Sequence, residues 1–282
     1  MRTSPLPPTT WKGGELHWGA KTYVMAIINA TPDSFSGDGI HGSAEMAGDV
    51  AMDAVANGAD LIDIGAQSTR PGHQPVEAEE ELARLLPVLH DILRRVEVPV
   101  SIDTSKAAVA DAALRAGASM INDVRGFTAD HECAAVVAAH GVPAVLMHDV
   151  PPGGHGDMMT SIVRELSRRL DQAVAAGIAW ERLIIDPGFG FGKDWRQNLE
   201  LLRRLGELHI LGRPILAGTS RKGTIGRVLN LPPDDRVEGT ASTVALAIAS
   251  GADIVRVHDV RAMVRVARMT DAVMRGVGGE PR

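Results

Sequence analysis

Short β-branched runs alternate with Ala-, Leu- and Glu-rich stretches along almost the whole chain, and no other feature narrows the fold so far. This alternation is the pattern of repeated β-α units on a parallel sheet. The spacing predicts strands near Val24–Ile28, Leu61–Ile64, Val100–Asp103, Ser119–Asn122, Ala144–Met147, Leu183–Asp186, Ile215–Ala217 and Ile254–Val257. It predicts helices over Ala44–Asn57, Glu77–Arg95, Lys106–Ala116, Glu132–His140, Met158–Ala176, Gln197–Leu205, Gly239–Ser250 and Val260–Arg275.

Several of these helices end in a Gly step before the next strand: NGAD from Asn57, AGAS from Ala116, HGVP from His140 and SGAD from Ser250. Glycine just past a helix end enters the left-handed region at little cost. The punctuation yields about eight units, the number that closes a barrel. The expected fold is therefore α/β, a (β/α)8 TIM barrel over residues 23–282, with a short N-terminal extension over residues 1–22. That extension reads as a hairpin capping the barrel floor. An open doubly wound sheet is the competing architecture. It calls for a Gly-rich fingerprint after the first strand, where this chain has Asn29-Ala30-Thr31-Pro32-Asp33.

The chain has 282 residues, 45% of them hydrophobic but only 3% aromatic, so Ala, Val, Ile and Leu must fill the core. A net charge of −6 argues against nucleic acid as a partner, while a locally basic site for a small anion stays open. With one cysteine, Cys133, no disulfide forms within the chain. The segment MRTSPLPPTTWKGG has no apolar core of signal-peptide length, and no run approaches the roughly 20 apolar residues of a membrane span. A cytoplasmic protein with no membrane partner is expected.

The chemistry sits where the predicted strands end. Asp103 ends PVSID, Asn122 ends SMIN, Asp186 ends LIID, and Lys222 follows ILAGTS. On neighbouring strand ends they converge on one pocket. Carboxylates accept, an amide does both, and a lysine only donates, which suits a flat heterocycle of alternating donors and acceptors, such as a pterin or a purine. The competing role for Asp103 or Thr104 is to cap the following helix. Ser220-Arg221-Lys222 is a basic turn suited to phosphate or carboxylate. In RVHDV, Arg256 and His258 are two apart and so share a side of the strand. With Asn29, whose neutral oxygen hard cations accept, they make a candidate anion and Mg2+ site.

GFGFGK resembles a phosphate cradle only loosely, because Walker spacing is absent; Phe189 and Phe191 there are candidates to wall an aromatic substrate. TPDSFSGDG and STRPG are long polar loops of the kind that form lids, from which Arg70 reaches an anion. His90, His140 and His209 read as structural, while His148 points towards the mouth. No zinc spacing and no Ser-His-Asp arrangement stands out.

Taken in order, NATPDSFSGDG, DIGAQSTRPG, SIDTSK, INDV, MH, DPGFGFGK, GTSRKG and RVHDV resemble the dihydropteroate synthase family, the folate-pathway enzymes that sulfonamides inhibit. The resemblance runs from about Tyr23 to Met274. It implies a (β/α)8 homodimer that condenses 6-hydroxymethyl-7,8-dihydropterin pyrophosphate with 4-aminobenzoate and needs Mg2+. It implies a pterin pocket of Asp103, Asn122, Met147, Asp186 and Lys222, with Arg256 over the pterin and reaching phosphate. Asn29 and His258 would hold the pyrophosphate and metal, Thr69 and Arg70 would order around the reacting centre, and Phe191 and Pro71 would flank the aminobenzoate.

The chain departs from the commoner family pattern at Gly37-Asp38, at Gln67, at Gly223 and in the short DVPPGGHGD segment after His148. None of these removes a pterin or pyrophosphate residue. Two rivals remain on sequence grounds. A methyltetrahydrofolate-dependent methyltransferase shares the pterin barrel but has no use for STRPG, SRKG or RVHD. A non-catalytic pterin-binding paralogue would carry damaged first and second loops.

Overall fold

A computed structural model describes residues 6–30, 40–67, 76–151 and 156–276. A hairpin of β1 (Thr9–Trp11) and β2 (Gly14–Leu16) precedes eight parallel strands. These are β3 (Tyr23–Asn29), β4 (Leu61–Gly65), β5 (Val100–Asp103), β6 (Met120–Asp123), β7 (Ala144–Met147), β8 (Leu183–Asp186), β9 (Leu216–Ala217) and β10 (Ile254–Val257). Their order is β8-β7-β6-β5-β4-β3-β10-β9. A parallel bridge from Ile185 to Ile215 joins the two ends and closes the ring. Closure excludes the open doubly wound sheet.

Helices α1 (Ile40–Ala56), α2 (Ala78–Arg95), α3 (Ala107–Ala116), α4 (Glu132–His140), α5 (Met158–Ala175), α6 (Trp195–Arg203), α7 (Gly223–Leu229), α8 (Val237–Ala249) and α9 (Val260–Arg275) follow strands around the barrel. In α2 the buried Leu85, Val88, Leu89 and Ile92 fall at i, i+3, i+4 and i+7, the stripe that packs a helix on a sheet. Asp157 accepts from the Thr160 amide to cap α5, and Asp194 and Gln197 form a capping box at α6. The four Gly steps of the sequence all lie at positive φ: Gly58 at 98°, Gly117 at 116°, Gly141 at 64° and Gly251 at 93°.

Two departures from the sequence reading are local. The last but one strand is only Leu216–Ala217, with Ile215 contributing the closing bridge. Helix α7 was not expected, because seven residues opening on Gly223 are too few to display a helical period. Cys133 is buried in α4, and burial pushes its thiol well above the usual range.

Two apolar layers organise the interior. The larger lies between the strands and the helices. The second fills the bottom of the barrel with Met25, Leu61, Met120, Val145, Ile184, Leu216 and Ile254, closed from below by Trp11, Leu16 and Trp18 of the hairpin segment. A chain of hydrogen bonds ties the plug in place: Trp18 Nε1 donates to Thr9 Oγ1 at 3.1 Å, and Thr9 Oγ1 donates to the Glu181 carbonyl at 2.6 Å. Among the described residues no helix is long and apolar enough to cross a membrane.

Candidate active site

Side chains of the same sign of pleat recur every second residue along a strand. Two residues beyond Leu61, Met120, Ile184 and Ile254 of the apolar floor stand Asp63, Asn122, Asp186 and Arg256; two beyond Val145 stands Met147. One step along the same inward faces therefore changes a dry floor into a polar chamber at the C-terminal ends of the strands, where barrels carry their chemistry.

Asp103, at the end of β5, does not cap a helix. The first amide of α3, that of Ala107, is taken by Asp130 at 2.8 Å, which leaves the Asp103 carboxylate for the chamber. Thr104 Oγ1 accepts from the Lys106 amide at 3.3 Å. Within INDV, Asn122 faces in and Asp123 faces out, where it accepts from the Ser105 hydroxyl and from the amides of Arg125 and Phe127.

Asp63 is the residue the sequence reading missed. It is fully buried, accepts from Arg256 Nε at 2.6 Å and from Asn122 Nδ2 at 3.1 Å, and so ties two pocket residues together. The available signal was a charged residue in the middle of the otherwise apolar LIDIG strand. Arg256 Nη2 also donates to Asp103 at 3.0 Å, so its guanidinium bridges two carboxylates across the chamber. The second oxygens of both, Asp63 Oδ1 and Asp103 Oδ1, are buried without a hydrogen-bond partner among the described residues. Buried acceptors of this kind are costly unless a donor arrives.

Burial drives the electrostatics. It raises the Asp103 carboxyl to about 7 against the pull of Arg256, with Asp63 adding to the rise. It raises Asp186 as well, although the Gly188 amide, donating at 2.7 Å, and Lys222 oppose the shift. Burial and the neighbouring Arg256 lower Lys222 to about 8, against Asp186 and Asp103. Burial works against the Arg256 charge, yet Asp63 and Asp103 overcome it and raise that group. Lys222 Nζ lies 4.4 Å from the centre of the half-buried Phe191 ring, a cation–π distance.

At the rim, His258 Nδ1 lies 3.0 Å from Ser220 Oγ, and the His258 amide donates to the same hydroxyl at 3.1 Å. Burial, then Arg256 and Arg221, lower the imidazole to about 4, so it is neutral at physiological pH. Asn29 is exposed at the end of β3. No group of three or more His, Cys, Asp or Glu among the described residues has metal-holding geometry.

Several expectations need correction. Of the basic turn only Lys222 faces the chamber, because Arg221, at φ 54°, turns away to pair with Asp259. Phe189 does not wall a substrate: it is buried in the core, and only Phe191 is left near the site. The glycines of GFGFGK cradle neighbouring backbone. A Cβ on Gly188 would stand 1.9 Å from the His148 carbonyl oxygen, and one on Gly192 would stand 2.4 Å from the Val150 carbonyl carbon. His148 does not point into the mouth; it is fully buried beside Lys193. Gln67 accepts from Lys106 Nζ at 2.5 Å, and Glu81 supplies that lysine's charge partner. Thr69, Arg70, Pro71, Gly37 and Asp38 lie outside the described residues.

A closed parallel barrel with this buried ring of acids, amide and lysine is that of the pterin-binding enzymes, and the family model described as "Pterin binding enzyme" matches residues 25–258. The dihydropteroate synthase of Bacillus subtilis (strain 168) is 46% identical over 263 residues, covering 93% of this chain and 92% of that protein. The solved dihydropteroate synthase of Xanthomonas albilineans with 4-aminobenzoic acid superposes with a TM-score of 0.90 at 42% identity, covering 96% of this chain and 99% of that one. The same enzyme in complex with 7,8-dihydropteroate gives a TM-score of 0.86 at 40% identity, covering 96% and 100%. The chain belongs to the dihydropteroate synthases.

Proposed function

We propose that the protein joins 6-hydroxymethyl-7,8-dihydropterin pyrophosphate to 4-aminobenzoate, releasing pyrophosphate, through dissociative substitution. The observation that carries this is the charge balance of the chamber: three buried carboxylates, Asp63, Asp103 and Asp186, against Lys222 and Arg256. Such an interior favours a planar guest that presents N–H donors and develops positive charge as it reacts. The complexes of the Xanthomonas albilineans relative with 4-aminobenzoic acid and with 7,8-dihydropteroate support the same substrates here.

The steps follow from the residues. The dihydropterin enters with its N–H edge towards Asp103, Asn122 and Asp186, supplying a donor for Asp103 Oδ1. Arg256 Nη2 then gives up Asp103 while Nε keeps Asp63, so the guanidinium pivots towards the pyrophosphate. The bond from the pterin methylene carbon to the pyrophosphate oxygen breaks, and its electron pair leaves with the pyrophosphate. The carbocation left behind is conjugated into the dihydropterin ring, where Asp103 and Asp186 stabilise it. The neutral amine of 4-aminobenzoate attacks, a C–N bond forms, and the ammonium proton passes to solvent or to the departing pyrophosphate. No general base is required.

Neutral His258 and Arg256 would contact the leaving pyrophosphate. The Asn29 amide oxygen would suit a hard cation completed by phosphate oxygens and water, and among the described residues no group of three or more His, Cys, Asp or Glu could hold an ion alone. A magnesium ion held there would supply charge neutralisation for the leaving pyrophosphate. The same reading extends to a homodimer, for which Leu246 of α8 and Met269 and Val273 of α9 offer an exposed apolar face, and to inhibition by sulfonamides as aminobenzoate mimics.

The test supplies both substrates and magnesium and measures dihydropteroate and pyrophosphate together. Equal amounts of both, abolished by a chelator, are expected. Tight dihydropterin binding without product, beside an active control enzyme, would overturn catalysis in favour of a pterin-binding paralogue.

A further inference from the structure

Lys193 is a buried cation that the reaction above does not use. Its Nζ lies 2.9 Å from His148 Nδ1, 2.9 Å from the Phe191 carbonyl oxygen, 3.1 Å from that of Gly188 and 3.3 Å from that of His148. An ammonium has three protons and accepts nothing, so a shell made only of acceptors matches it. These acceptors belong to two different strand-end loops, one following β7 and one following β8.

We propose that Lys193, with His148 as its ring acceptor, is a positioning residue for the aminobenzoate half of the site and acts through Phe191; this rests on the function proposed above and on the place beside the aminobenzoate that the family resemblance implies for Phe191. The turn after β8 carries Gly188, Gly190 and Gly192 at φ 72°, 81° and 61°. So glycine-rich a stretch has little preference of its own for one shape, and its shape must be imposed. Phe191 is gripped by its backbone from both sides: its amide donates to the Gly188 carbonyl at 3.1 Å, and its carbonyl accepts from Lys193. The ring so placed meets Lys222 Nζ.

Asn198 fastens the outer part of the turn, accepting from the Gly190 amide at 2.7 Å and donating to the Lys193 carbonyl at 3.1 Å. Asp186 is held differently. It sits on β8 in register with Met147 of β7, so the strand ladder fixes its position without Lys193, whose charge acts on its carboxyl less than burial, the Gly188 amide, Lys222 and Arg256 do. Loss of the ammonium therefore frees Phe191 before it frees the pterin acid. His148 is fully buried and kept neutral, which leaves its Nδ1 lone pair to accept from the lysine.

The experiment compares full-length wild type with Lys193→Met, His148→Leu and His148→Asn. It measures the Kd for dihydropterin pyrophosphate by calorimetry without aminobenzoate, then kcat and the KM for 4-aminobenzoate. In Lys193→Met the aminobenzoate KM rises about ten- to a hundredfold, the scale of a misplaced contact, while the dihydropterin Kd stays within about threefold. His148→Leu moves the same way by less, and His148→Asn, whose amide oxygen restores an acceptor near Nδ1, recovers most of the loss. An unchanged aminobenzoate KM in folded Lys193→Met overturns the proposal, as does equal loss of both affinities. If Lys193→Met does not fold, the His148 pair decides: Asn performing no better than Leu overturns it. Wild-type protein that binds no dihydropterin overturns the functional reading itself, an outcome distinct from a variant that behaves as wild type.

Discussion

The two ends of the barrel are built from the same strands and obey opposite rules. At the bottom, Leu61, Met120, Ile184 and Ile254 meet Trp11, Leu16 and Trp18 in an apolar plug. Two residues further on, the same strands present Asp63, Asn122, Asp186 and Arg256, with carboxyl oxygens that no described residue meets and with acids and a lysine of the chamber displaced from their ordinary protonation. The bottom stabilises the fold. The top costs stability and holds it in readiness for a ligand that brings the missing donors. Substitutions at the two ends must therefore part company.

The sharpest break is at the top. Lys222→Ala or Asp103→Asn is expected to lower turnover by about a hundredfold or more, the loss typical of one preorganised electrostatic group, with a thermal midpoint no lower than that of wild type. Steady-state kinetics beside a thermal melt checks both halves, and wild-type activity in either variant would sink the pocket assignment. The mirror-image change is Trp18→Ala in the plug. Emptying that site should cost about 3–5 kcal/mol of stability in denaturant titration, while kcat per folded molecule stays within about twofold.

Asp63→Asn probes the middle. The amide keeps the shape but not the charge that anchors Arg256 Nε, so Arg256 falls back onto Asp103. Dihydropterin affinity should drop about tenfold, the usual scale for a charge-assisted bond, with a smaller change in aminobenzoate KM. Equal effects on both substrates would remove Asp63 from its anchoring role.

The smallest effects are in pH. Dihydropterin binding should tighten as Asp103 ionises near pH 7 and weaken as Lys222 loses its proton near pH 8, giving a bell whose acid limb vanishes in Asp103→Asn. Stability runs the other way. The folded Asp103 carboxyl lies above its unfolded value of 3.8, so between that value and about 7 the unfolded chain binds fewer protons. Ligand-free stability from this group is thus lost as pH rises through that window. Denaturant midpoints of wild type and Asp103→Asn should diverge in favour of the variant over the same range.

The sequence alone determined which strand ends carry polar side chains on several of the strands. Alternation is a local, period-two property, and so Asp103, Asn122, Asp186 and the pair Arg256 and His258 were legible from where apolar runs stop. The four Gly steps marked the helix ends for the same reason: the need for positive φ is a property of the residue itself. Asp63 escaped because its partners, Arg256 and Asn122, are distant in sequence and adjacent only once the barrel closes.

The loops were decided by tertiary structure. Whether Arg221 or Lys222 enters the chamber depends on one residue at φ 54° and on Asp259 arriving from the turn between β10 and α9. Whether Phe189 or Phe191 reaches the site, and whether His148 faces the mouth or a lysine, depends on backbone packed at contact distance between two loops. Direction along a strand follows from the pleat, which each residue inherits from its neighbour. Direction in a loop follows from what the loop packs against, and that exists only when the ring is closed.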